Sequence, residues 1–214
     1  MRSSRFIAAL ATSLCLFLFA LCLAGPARAA ASPSDALRGS VDRVLVILQH
    51  PDYTDTAKRQ PLRAEIEQIV RSAFDFTEFA RRTIGSHWSS FNPDQQQRFT
   101  DIFCQLLIAS YVDKIDGYNG EKVAYLSERF SQNNRLAEVQ TTITMSSGQV
   151  TPVAYRMILK DSVWRVYDVL VENVSLNSNY RAQFQEILAK SSPDALIQRV
   201  EDRVQELHRQ NAGS

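Results

Sequence analysis

Metal binding and acid–base catalysis draw mainly on histidine, cysteine and acidic side chains, and in this chain those residues are dispersed. His50, His87 and His208 lie far apart, and no His-x-x-x-His or Cys-x-x-Cys pair occurs, so a zinc site is not expected. His87, beside Trp88, reads as a helix-end residue. Asp168, next to Tyr167 in an alternating segment, is the best candidate for a general base, because a buried acid on a curved sheet can take up a proton. Its plainer reading is a solvent-facing strand residue or a partner of Arg156 or Arg165. Asp161 falls in a hairpin turn. There is no Gly-x-Ser-x-Gly elbow, P-loop or dinucleotide fingerprint, and 7 glycines leave few places for a phosphate-cradling loop. The expectation is a protein that is not an enzyme, with no catalytic residues, metal or cofactor.

The N-terminus sets the expected compartment. Arg2 and Arg5 precede a nearly unbroken apolar run from Phe6 to Gly25, and Ala27-Arg28-Ala29 follows Pro26 as a small-x-small cleavage site. Residues 1–29 therefore read as a cleaved secretory signal peptide. The competing reading is an uncleaved anchor, since about twenty apolar residues can span a bilayer. Lipoprotein processing is disfavoured because leucines precede Cys15 and Cys22, where a small residue is needed. Removing Arg2, Arg5 and Arg28 leaves 21 Lys+Arg against 23 Asp+Glu, a net charge of −2, which argues against nucleic acid as a partner. Cys104 is then the one remaining cysteine, so no intramolecular disulfide can form. It reads as a small buried hydrophobe. The fold must rest on packing alone, with residues 30–214 as one domain.

Two periodicities divide that domain. Residues 33–117 read as helices, 121–176 as strands and 178–210 as helices again. Val41, Val44, Leu45 and Leu48 form an apolar stripe on a first helix over 34–49, ended by His50-Pro51. A second helix over 61–74 turns Leu62, Ile66, Ile69 and Val70 inward. A third begins after Asp75, with Glu78 completing a capping box, and ends near Gly85. The fourth is the longest, capped by Asn92 with Pro93 at its first position, and carries Phe99, Ile102, Phe103, Leu106, Leu107 and Tyr111 to about Asp116. The period then becomes two. Ala137, Val139, Thr141, Ile143 and Met145 alternate with polar residues. Ser146-Ser147-Gly148 and Lys160-Asp161-Ser162 turn the chain between further strands, the last over 163–171. Successive hairpins imply an antiparallel meander, and the helices must cover its apolar face, so the fold class is α+β. A final helix follows Ser192-Pro193-Asp194. No internal repeat or flexible linker interrupts the domain.

Apolar and aromatic residues remain as the functional candidates. Val139, Ile143, Tyr155, Met157, Tyr167 and Val169 can share a sheet face. Phe103, Leu107, Tyr111, Tyr180 and Phe184 sit on helices that must cover it. Periodicity alone cannot say whether they close into a core or wall a cavity.

Three separated segments resemble the MlaC family, also known as the toluene-tolerance auxiliary family of phospholipid-binding proteins: "ARRTIGSHWSSFNPDQQQRF" (80–99), "GEKVAYLSERF" (120–130) and "WRVYDVLVENVSLNSNYRAQFQEIL" (164–188). They occur in the family's order across nearly the whole mature chain. The resemblance implies a twisted antiparallel four-stranded sheet, NTF2-like or cystatin-like, covered by helices around an apolar cavity. It implies a monomeric periplasmic lipid carrier that shuttles phospholipid between an outer-membrane lipoprotein complex and an inner-membrane MCE-domain ABC transporter, keeping outer-membrane lipid asymmetry. Under it, the aromatic and aliphatic residues named above become candidate cavity lining. A hopanoid-associated (HpnM-like) branch is an alternative, as is a non-carrier envelope adaptor with a closed core. The chain departs from the family pattern at Asn173, where a glycine is common and a positive φ is expected, and at Asn177, where relatives are often apolar and a wetter spot is expected. No Arg/Lys phosphate clamp is evident in the sequence, and a headgroup left in solvent needs none.

Overall fold

Every α-helix but the second starts where a side-chain oxygen accepts from its unpaired N–H groups. The computed structural model describes residues 31–131 and 133–212, so the leader read at 1–29 lies outside the described residues. Helix α1 (Pro33–Leu48) is capped by Ser32, whose hydroxyl accepts from the Asp35 amide at 3.0 Å. A 3-10 turn (Pro51–Tyr53) leads to α2 (Arg59–Ala73), which stops at Phe74 in extended backbone. Phe74 forms an isolated parallel bridge with Val166, and the Asp75 amide donates to the Val166 carbonyl at 2.8 Å. Helix α3 (Phe76–Ile84) is capped by the Asp75 carboxylate, which accepts from the Glu78 amide at 2.9 Å. Only half of the expected capping box forms, because the Asp75 amide is engaged by Val166 and the Glu78 carboxylate turns to Arg81 and Arg82. Before α4 (Pro93–Asp116) the box is complete: Asn92 and Gln95 each accept from the other's backbone amide, at 2.9 and 3.0 Å.

Glu78 gives this region a pH dependence. Hydrogen bonds from Arg81 and then Arg82 hold its carboxyl below its ordinary value of 4.5, against the opposing effect of burial. A depressed carboxylate contributes stability above its unfolded value, and that contribution is lost as pH falls through the folded value. Glu78→Gln should therefore be less stable than wild type near neutrality and should show a shallower loss of stability between about pH 5 and pH 3. Urea unfolding across that range reads this, and an unchanged acid slope would remove Glu78 as its source.

The sheet is a meander in the order β1-β2-β3-β4-β5, antiparallel throughout: β1 Lys122–Phe130, β2 Leu136–Thr144, β3 Val150–Lys160, β4 Val163–Val171 and β5 Val174–Ser175. The fifth strand exceeds the four expected. Glu172 (φ 51°) and Asn173 (φ 66°) both adopt left-handed backbone, which closes a two-residue turn tight enough for Val174 to pair with Val171. Asn173 thus takes the positive φ expected of it. Helix α5 (Leu176–Leu188) follows directly. Its cap is Ser175, which accepts from the Ser178 amide at 3.0 Å, and α6 (Pro193–Ala212) closes the chain.

Register assigns the faces. Ala137, Met157 and Val166 align across β2, β3 and β4, as do Val139, Tyr155 and Val169, and Thr141, Val153 and Val171. Between these rows runs the opposite face, with Glu138, Arg156 and Asp168 aligned. Helix α1 packs across β1, β2 and β4 on the first face. There Leu37 joins Val139, Met157 and Val166 in a closed cluster. A second core is formed by α3, α4, α5 and α6 around Phe79, Phe99, Phe103 and Phe184. A third joins Ile47 and Tyr53 to Ile66 and Ile69 of α2. From Ala31 onward the chain forms one compact unit. Among the described residues no helix is long and apolar enough to cross a membrane.

Candidate functional site

Between the α1–α2 pair, the C-terminal half of α4 and the first sheet face lies a cavity of about 800 Å³, within the range of ligand-binding cavities. Helix α1 contributes Leu37, Ser40, Val41, Val44 and Leu45, and α2 contributes Ile66, Ile69, Val70 and Ala73, continued by Phe74. The sheet supplies Ile143, Val153, Tyr155, Val166, Val169 and Val171. Helix α4 supplies Leu107, Ile108, Tyr111, Lys114 and Ile115. The lining is overwhelmingly aliphatic and aromatic. Burial in it pushes the Tyr155 hydroxyl up to about 12, and burial likewise raises Tyr111. Water in a cavity with this lining leaves apolar surface hydrated, and an apolar occupant relieves that cost at about 25 cal/mol per Å² covered.

The basic side chains of this cavity come from the start of α2 and the last turns of α4 and α6, with Ser40 and Glu67 as polar lining elsewhere. Gln60, Arg63, Lys114 and His208 line it there. Asp116 ties the helices together at these positions. Its carboxylate accepts from the Tyr53 hydroxyl at 2.6 Å, binds Arg63, and has Arg59 Nη1 at 3.5 Å.

Ten of the eleven residues expected from sequence lie in this cavity's wall or in the buried clusters, and Tyr167 lies in neither. Leu107, Tyr111, Ile143, Tyr155 and Val169 line the cavity. Val139 and Met157 share their sheet face but lie under α1 in the closed cluster with Leu37. Phe103, Tyr180 and Phe184 lie in the helical core instead: Phe103 has Tyr180 and Phe184 at 5.1 and 5.4 Å between ring centroids, and Phe99 stacks on Phe103 from another side. Helix α4 serves both regions, its Phe99 and Phe103 turned to the core and its last turns to the cavity. Tyr167 leaves the expected face because β4 bulges there. Val166 pairs with Met157 and Asp168 with Arg156, leaving Tyr167 unopposed, with the Arg82 guanidinium 4.1 Å above its ring. The lining of α1 and α2, absent from the expected site, was signalled only as ordinary amphipathic stripes.

The acid–base candidates lie apart from the cavity. Asp168 is on the opposite sheet face, where it accepts from Arg156 at 3.2 Å, the Ser175 hydroxyl at 2.7 Å and the Asn177 amide at 3.1 Å. Its lone pairs are committed to holding α5 against β4. Asn177 is no wet spot. It is buried, donates to the Tyr167 carbonyl at 2.8 Å and accepts from the Thr83 hydroxyl at 2.6 Å. Burial lifts the Cys104 thiol to about 11, against the opposing Arg71, which suits an inert core residue. Among the described residues no group of three or more His, Cys, Asp or Glu could hold a metal ion.

A meander walled by helices around an apolar cavity defines a small-molecule binding protein of the lipid-holding kind. The chain belongs to the MlaC family: the family described as "MlaC protein" matches residues 38–202. It is 24% identical over 159 residues to the intermembrane phospholipid transport system binding protein MlaC of Haemophilus influenzae, covering 72% of this chain and 70% of that one. It is 22% identical over 167 residues to the toluene tolerance protein of Pseudomonas putida, covering 78% and 77%. Among solved structures it is similar to a phospholipid-binding protein of Ralstonia solanacearum in complex with a phospholipid, with a TM-score of 0.73 and 26% identity over 83% of this chain and 99% of that one.

Proposed function

We propose that this protein is a periplasmic lipid carrier. It is exported by a cleaved leader, holds the acyl chains of a phospholipid in the cavity, and acts as a monomer. It moves lipid between an outer-membrane lipoprotein complex and an inner-membrane MCE-domain ABC transporter, and so maintains lipid asymmetry in the outer membrane. The observation that carries this reading is the apolar cavity of about 800 Å³ between helices and sheet. Two acyl chains hold roughly 30 methylenes at about 0.8 kcal/mol each when withdrawn from water, so a lipid crosses an aqueous space only inside such a wall. Release requires that the wall match the bilayer's burial without greatly exceeding it. Dispersed aliphatic lining meets that requirement better than many specific polar bonds.

The opening movement falls to the helices. The strands are locked by hairpin ladders, whereas α1 and α2 are held to the sheet chiefly by side chains. Native mass spectrometry and lipid extraction on the purified protein test the reading. The expected result is one phospholipid bound per chain, with a hopanoid mass marking the hopanoid branch instead. Protein that stays empty after incubation with phospholipid vesicles would refute it.

A further inference from the structure

We infer that the cationic part of the cavity is a phosphate site for the headgroup of the bound lipid, formed by Arg63 and Lys114 with Arg59 behind them. The inference rests on the carrier reading and adds an orientation to it. Arg63 and Lys114 both line the cavity. Arg59 and Arg63 share a single carboxylate, Asp116, which also accepts from the Tyr53 hydroxyl. Lys114 makes no carboxylate contact among the described residues, and its ammonium lies 5.1 Å from the Tyr111 ring centroid. Among the described side chains, these three cations face one carboxylate, a surplus of two positive charges. Glu67, the acid among the described lining residues, is bound by Arg71 at 2.7 Å and does not offset that surplus.

A phosphodiester carries one negative charge and acceptor oxygens suited to a guanidinium fork and an ammonium together. Among the described residues, the lining around Leu37, Val41, Phe74 and Val166 carries no cation. From Arg63 to Ala73, α2 runs for about 15 Å along the cavity, so a lipid with its phosphate at Arg63 lays its tails toward Phe74 and the sheet. Asp116 competes for Arg63, so the phosphate is held by a shared cation rather than a dedicated one, as a carrier that must release requires.

The test compares two probes on delipidated protein: vesicle-delivered phosphatidylglycerol, and diacylglycerol of the same chains, which lacks the phosphate. Wild type should hold phosphatidylglycerol at least roughly tenfold more tightly, about 1.4 kcal/mol. Lys114→Gln and, separately, Arg63→Gln should shrink that ratio about threefold or more, the loss falling on phosphatidylglycerol more than on diacylglycerol. Two variants are used because Arg63→Gln also loosens the Asp116 cluster; thermal unfolding reports that loss, and Lys114→Gln is free of it. Inorganic phosphate alone should not displace the lipid. Equal binding of both probes by wild type, or a ratio unmoved by both substitutions, would overturn the phosphate site while leaving the carrier intact. Binding of neither probe would instead strike the carrier reading. Full competition by inorganic phosphate would make this a free-anion site and overturn the headgroup assignment.

Discussion

Ala73→Trp should empty the protein of lipid without unfolding it. Ala73 ends α2 and borders the cavity, so an indole there projects into the space that acyl chains would fill. If the ring displaces roughly four methylenes at about 0.8 kcal/mol each, binding loses about 3 kcal/mol, more than a hundredfold in Kd. Folding should not suffer, because an apolar group added to open apolar space fills a void rather than overpacking a core. Val169→Trp, on the opposite wall, supplies an independent second case. The measurement pairs lipid per protein by mass spectrometry with the melting temperature of the lipid-free form. Full lipid occupancy in both variants would show that the cargo lies elsewhere.

Phe184→Ala should do the reverse. Phe184 is 5% exposed and meets Phe99, Phe103 and Tyr180 with ring centroids 5.4–5.7 Å away. Deleting that ring from a closed cluster costs about 3–5 kcal/mol, a large share of the roughly 5–15 kcal/mol that holds a domain together. Phe184 is not part of the cavity lining, so lipid affinity should stay within about threefold wherever the variant is still folded. Chemical denaturation gives the first quantity and vesicle-to-protein transfer the second. A stable variant that lost its lipid would make Phe184 a cargo contact and would redraw the cavity.

The contrast between these two variants also marks where sequence reasoning succeeds and fails. The helix order, the Asn92–Gln95 capping box, the alternating strands and the positive φ at Asn173 were all legible, because each follows from interactions among residues a few positions apart. So were most inward-facing positions, although the first-helix stripe left out the buried Leu37 and Ile47, and Met145, placed on the apolar face, is exposed. The partner of each inward face was not legible. Phe103 and Leu107 occupy the same helix one turn apart and share one core, yet Phe103 is enclosed by Phe99 and Phe184 while Leu107 also borders the cavity. A single bulge at Tyr167 moved one residue out of a face that simple alternation had given it.

The cationic part of the cavity makes the same point from the polar side. Arg59, Arg63, Lys114 and Asp116 are scattered over two segments more than 50 positions apart and match no local pattern. They meet only because α2 and α4 pack side by side at their ends. Sequence by itself determined the local elements, the apolar stripes and the family, since periodicity, capping and motif order are properties of neighbours along the chain. Tertiary structure alone decided which stripes touch each other and which stand apart around 800 Å³ of space. A void has no residue of its own, and its position depends on how far apart whole elements come to rest.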